Sequence, residues 1–159
     1  MTIQKSYNFK QLDKFISSSG TLKNVDFKNL PSENYSVVIN LLPNDSEYAI
    51  EGEKEGLESL GIHYVYIPID WSEPKHSDYE AFESTMTMNE GKKLHIHCAE
   101  NYRASAFYAI YAYNNKGWSR SKLNAFIDEI WEISDYPVWV EFVSQLTPSQ
   151  KRLTITQTC

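Results

Sequence analysis

A short strand-like run that meets a cysteine, a polar turn and then a long apolar helix leaves a chain few ways to fold. That succession occupies residues 94–117, LHIHCAENYRASAFYAIYAYNNKG. KLHIHC reads as a strand, and ASAFYAIYAYNN is apolar nearly all round, so its helix belongs inside, with Lys116 in the last turn and Gly117 as cap. A strand ending on Cys98 that turns into a helix starting near Arg103 aims backbone N–H groups and the positive helix end at one thiol. Such a turn favours a thiolate and collects an anion.

The flanking sequence predicts the sheet into which this unit fits. SVVINL, residues 36–41, is a β-branched run closed by Pro43-Asn44-Asp45, as expected of a strand buried on both faces. Asp45 or Ser46 can cap a helix whose Ile50, Glu53, Leu57 and Leu60 share one face, with Gly61 as its left-handed end. IHYVYIPID, residues 62–70, reads as a second strand that leaves the ladder at Pro68. Ser77 and Glu80 form a capping box for a helix carrying Phe82 and Met86. Two more apolar stripes follow, Leu123, Phe126, Ile127, Ile130, Trp131 and then, beyond Pro137, Trp139, Phe142, Val143, Leu146. Residues 1–35 are weakly periodic and read as a short strand and a short helix through Val25, Phe27 and Leu30 that stops at Pro31.

Strand and helix alternating in this way predict an α/β fold: a single domain over 1–159 with a central, mostly parallel sheet of four to five strands and helices on both faces. Its core spans about 36–146, and 148–159 form a loosely held tail. Ligands of such folds bind outside the carboxyl ends of the strands, and Asp70 and Cys98 both fall there.

With 42% hydrophobic residues and no apolar run of the roughly 18 a membrane span needs, the chain reads as soluble, and its first residues lack the apolar stretch of a secretory signal, so it reads as cytoplasmic. A net charge of −6 without a basic block argues against nucleic acid and anionic membranes as partners. It leaves a phosphorylated substrate open, because one nest and one guanidinium suffice to hold a phosphate. Two cysteines make no disulfide framework, and Cys159 at the chain end reads as an idle thiol.

HCAENYRAS, residues 97–105, resembles the active-site loop of the cysteine-dependent protein tyrosine and dual-specificity phosphatases, whose pattern is His-Cys, five residues, Arg, then Ser or Thr. The order of elements over 36–146 is similar to the small dual-specificity type, and the chain resembles a group of bacterial phosphatase-like proteins. The resemblance implies a phosphatase working through a cysteinyl-phosphate. Cys98 is then the nucleophile, preceded by His97, and residues Ala99, Glu100, Asn101, Tyr102 and Arg103 hold the phosphate. Asp70, or alternatively Asp78, acts as leaving-group acid, and Ser105 assists thiolate release. No metal and no organic cofactor is implied. Arg103 stands one place early in the pattern. Either the loop is one residue shorter, or it keeps its length and the Arg has moved, with Asn101 at the family's Gly position; the second alignment is slightly preferred, since Asn tolerates left-handed geometry. One helical position is a rotation of about 100°, which would turn the Arg103 guanidinium away from the phosphate and leave a weak or inactive phosphate-binding domain. Glu100 is read as a solvated side chain pointing outward. A rival, metal-dependent reading uses His95 and His97, which alternate on one strand, with His63, His76 or Asp70 as further ligands. Tyr64, Tyr66, Trp71 and Tyr102 read as packing aromatics that can also wall a pocket.

Overall fold

The computed structural model describes residues 3–149; most of the expected tail, Cys159 included, lies outside them. Five strands, β1 (Lys10–Gln11), β2 (Ile16–Ser19), β3 (Val37–Asn40), β4 (His63–Tyr66) and β5 (Leu94–His97), form one sheet in the order β1-β2-β5-β3-β4. Only the β1–β2 pair is antiparallel. The helices are α1 (Asn24–Phe27), α2 (Glu53–Ser59), α3 (His76–Met88), α4 (Tyr102–Asn115), α5 (Arg120–Asp128) and α6 (Pro137–Leu146). The expected α/β class, mostly parallel sheet and two-sided helical cover are therefore present.

Strand β5 lies at the centre, and its alternation sorts the molecule into two halves. Leu94 and Ile96 join Val37 and Ile39 under Phe82, Met86, Phe107, Trp139 and Phe142. On the opposite face Val38 packs with Ile3, Leu22, Phe27, Leu30 and Leu57. The core therefore begins well before residue 36, contrary to expectation. The N-terminal signal was hidden because β2 is the run Ile16-Ser17-Ser18-Ser19, whose serines are fully buried beside β5.

That buried serine strand is explained by its neighbour. Ser17 pairs with His95 and Ser19 with His97 in register, placing hydroxyls beside imidazoles. Ser19 Oγ donates to Gly20 O and is 2.8 Å from His95 Nε2, so Nε2 carries the ring proton. Ser17 Oγ, 2.7 Å away, then donates to His95 Nδ1 and accepts from the Tyr35 hydroxyl. Each atom of the chain is satisfied with His95 neutral. Burial, with the neighbouring His97, pulls the His95 pKa well below its ordinary value. The unfolded chain therefore takes up a proton near pH 6.5 that the folded chain refuses, so stability is full above that pH and falls as pH drops below it, by up to about 1.4 kcal/mol per pH unit. Urea midpoints of wild type should fall between pH 7.5 and 5.5 more steeply than those of His95→Gln; parallel profiles would show that His95 is not held neutral.

Three local expectations shift. Helix α3 begins at His76, and its reach-back bond runs from Lys75 N–H to the Asp78 carboxylate at 3.0 Å, so Asp78 makes the cap expected of Ser77 and Glu80. Asp78 is thereby occupied as a structural group. Helix α2 starts only at Glu53, after Gly52 at φ +75°, because the Ser46 hydroxyl accepts from Tyr48 N–H and closes a turn instead of capping a helix. Strand β4 is confined to His63–Tyr66, after which Ile67 and Ile69 still donate to Asn40 O and Leu41 O with Pro68 between them. Gly61 does adopt the expected left-handed end, at φ +79°.

Candidate active site

At the carboxyl end of β5 the chain turns sharply from Cys98 into α4, whose first helical residue is Tyr102. Asn101 makes the turn at φ +72°, a conformation asparagine tolerates better than most residues. The carbonyls of Ala99, Glu100 and Asn101 are all taken up as acceptors. Ala99 O accepts from Thr21 N–H and Thr21 Oγ1, Glu100 O from Asn8 Nδ2, and Asn101 O from Ser105 N–H. Asn101 Nδ2 returns a bond to Asn8 O, so the N-terminal segment clasps the back of the loop. Gly20 supports the same turn from below, where a Cβ would stand 2.5 Å from Ala99 O. The amides of Tyr102, Arg103 and Ala104 belong to the first turn of α4 and so have no acceptor within the helix, which begins four residues after Cys98.

Arg103 lines the same cleft as Cys98, together with Leu42, Ser46, Tyr48, Trp71, Ala99, Glu100, Tyr102 and Tyr136, around a cavity of about 270 Å³. The guanidinium therefore is not turned away. Helix α4 begins at Tyr102, one residue before the expected start, and Arg103 is its second residue. This geometry matches the shorter of the two loop alignments, while Asn101 keeps the left-handed turn that the other one assigned to it. The guanidinium lies over Trp71 at 5.4 Å, and its Nε and Nη1 are buried without a hydrogen-bond partner among the described residues. Burial lowers the Arg103 pKa from its ordinary value, and the negative charges of Cys98, Asp70 and Glu100 push it back up. Those three groups thus act on one cation from around it.

The aromatics divide differently from expectation. Trp71 and Tyr102 wall the cleft, whereas Tyr64 and Tyr66 stack on each other beside a separate surface depression. Tyr102 lies flat on Trp131 at 4.7 Å, and Trp71 meets Tyr136 edge-on at 5.1 Å. Trp131, Tyr136 and Tyr48 carry no local signal for this role; Trp131 lies in what reads as a core stripe, and only packing brings it under the loop.

Asp70 is exposed on the strand-end loop with one oxygen accepting from Ser72 N–H, and it stays within electrostatic reach of Arg103. Ser105 is fully buried and does not line the cleft. Its hydroxyl donates to Tyr102 O and accepts from Trp131 Nε1, which makes it a brace for the helix start rather than a neighbour of the thiol. Glu100 is exposed, as expected, yet it lines the cleft and acts on both Arg103 and Tyr102. His97 is buried against Glu53, whose carboxylate accepts from His97 Nε2 at 2.5 Å and from Asn40 Nδ2 at 3.2 Å. Sequence reasoning counted Glu53 only as one position on a helix face. The metal ligands do not come together: His95 and His97 are engaged as described, His63 pairs in register with Leu94's neighbour Val37 and so faces the other side of the sheet, and His76 bonds Gln145. Among the described residues no cluster of three His, Cys, Asp or Glu could hold a metal. Nor is any described helix long and apolar enough to cross a membrane.

No family model and no curated protein matches the chain. Solved structures do. A protein of Shewanella putrefaciens CN-32, named a "putative phosphatase (DUF442)", is 32% identical, with a TM-score of 0.84 over 91% of this chain and 92% of that one. Tk-PTP in its active form is 18% identical with a TM-score of 0.69, covering 87% of this chain and 95% of that one. Pseudomonas aeruginosa TpbA, solved in complex with pTyr, is 12% identical with the same TM-score, covering 86% and 82%. The last two share the fold. The Shewanella protein shares sequence and fold over almost the whole length of both chains, and so the chain belongs to the DUF442 family of putative phosphatases, built on the fold it shares with Tk-PTP and TpbA.

Proposed function

We propose that the protein hydrolyses a phosphomonoester through a cysteinyl-phosphate intermediate. The observation that carries this reading is Arg103, which lines the cleft that holds Cys98 and whose buried Nε and Nη1 have no partner among the described residues. A buried guanidinium short of acceptors is costly, and a phosphoryl group bound beside Cys98 would supply charged ones. In the scheme the Cys98 thiolate attacks phosphorus, the S–P bond forms and the P–O bond to the leaving group breaks. Asp70 gives its proton to the departing oxygen. Water then attacks the phosphoenzyme, releasing inorganic phosphate and regenerating the thiolate, with Asp70 taking the proton back. The amides of residues 99–103 and the guanidinium hold the equatorial oxygens throughout. Ser105 supports the loop in this scheme through Tyr102 and Trp131. No metal or organic cofactor enters it.

The alternative, a pseudophosphatase that only binds phosphate, is favoured less because Arg103 lines the cleft beside Cys98. Rapid acid quench during turnover of p-nitrophenyl phosphate should trap one phosphoryl group on the peptide containing Cys98. Steady turnover with the label on another residue, or no turnover beside tight phosphate binding, would sink the scheme.

A further inference from the structure

Around the proposed phosphate seat the cleft is built for a positive charge. Trp71, Tyr102 and Tyr136 converge, with ring centroids 5.1 to 6.5 Å apart, and Tyr48 enters from the β3–α2 segment more than half exposed. The face of an aromatic ring attracts cations, and Arg103 already rests on Trp71 in this way. Beside these rings stands the Glu100 carboxylate, exposed at the mouth and acting on Tyr102 and Arg103. Asp70 adds a second carboxylate within reach of the same guanidinium. Among the described residues that line the cleft, Arg103 is the one cation.

Binding a phosphate dianion therefore sets one positive charge against the phosphate, Glu100 and Asp70 together. A carrier that brought a further negative charge would add to an existing surplus. A carrier that brought an ammonium would relieve it, and would find both a carboxylate and ring faces to receive it. We propose that the cleft selects small phosphomonoesters whose carrier holds a cationic nitrogen within a few bonds of the phosphate, with Glu100 as the specificity-determining residue. This rests on the reading of the loop as a phosphate site. The cavity of about 270 Å³ suits a phosphate with a short aminoalkyl group rather than a nucleotide. Glu100, set within the loop of a phosphate site, is otherwise a liability, since it repels the anion its own backbone holds.

The test uses the full chain as Cys98→Ser, so that binding is read without turnover. Calorimetric titration with O-phosphoethanolamine, 2-hydroxyethyl phosphate and phosphoglycolate varies only the terminal charge. The amine should bind about tenfold more tightly than the neutral ester, and the carboxylate more weakly than either. Adding Glu100→Gln should collapse the ratio between amine and neutral ester towards unity. If inorganic phosphate binds and the three esters bind equally or in reverse order, the inference is overturned while the phosphate site stands. A ratio unchanged by Glu100→Gln removes Glu100 from its role, and failure to bind inorganic phosphate at all sinks the inference together with the reading beneath it.

Discussion

Arg103→Lys is expected to lower kcat/KM for an aryl phosphate by about 10³-fold, and Cys98→Ser to remove turnover altogether. Lysine keeps the charge and loses the planar fork. At this position the fork matters for two reasons: two of its donors are buried and unpartnered, and its flat face rests on Trp71 at 5.4 Å. A lysine ammonium can offer one strong contact to a phosphoryl oxygen but cannot span two, and it stacks on the indole less favourably. The interaction lost is one that strengthens as the phosphoryl group is transferred, so kcat should fall more than KM rises. Steady-state kinetics with p-nitrophenyl phosphate check both. Arg103→Lys within tenfold of wild type would mean that another group clamps the phosphate. Such a result would return weight to the alignment in which the arginine has moved away.

How far the site was legible depends on whether its parts are local. Cys98, the helix start and the left-handed Asn101 follow from a few consecutive residues, because a strand that turns into a helix has little freedom. The outcome for Arg103 was not legible by counting. A shift of one helical position predicts a rotation of about 100°, yet Arg103 lines the cleft with Cys98, and only the whole turn shows that. Strand β2 was obscured because Ser17-Ser18-Ser19 lacks any apolar signal. Its hydroxyls are the partners of His95, a residue 78 positions away from Ser17, and no window of sequence contains both. Tyr136 reaches the cleft, and Trp131 backs its wall residue Tyr102, by the same kind of distant packing. Patterns report which face a residue takes; they do not report which distant polar group makes that face tolerable.

His97→Ala should destabilise the fold by about 3–5 kcal/mol, more than its lost volume alone explains. The side chain is 1% exposed and its partner Glu53 4%, so removing the imidazole strands a carboxylate in the interior with, among the described residues, Asn40 Nδ2 left to donate to it. Asn40 is itself committed: its Nδ2 also donates to Tyr64 and its Oδ1 accepts from Leu42 N–H, so it cannot turn to help. Against a typical total stability of about 5–15 kcal/mol, such a loss is a large part of the whole. Glu53→Gln removes the charge while keeping an amide oxygen for His97, and should cost only about 1–2 kcal/mol. The two changes should not add. In the double variant the amide is far cheaper to bury unpaired than the carboxylate, so Glu53→Gln should rescue part of the damage done by His97→Ala, making the pair more stable than His97→Ala alone. Urea denaturation of the two single variants and the double variant reads this directly. The same pair fixes the residue before the nucleophile, since His97 O accepts from Leu41 N–H while its ring is held by α2. Glu53→Gln should therefore loosen the loop before it unfolds the domain, and weaken phosphate binding at temperatures where the fold is intact. Strict additivity of the two stability changes would show that Glu53 and His97 are neighbours without coupling, and would leave the loop's support to Asn8, Gly20 and Thr21.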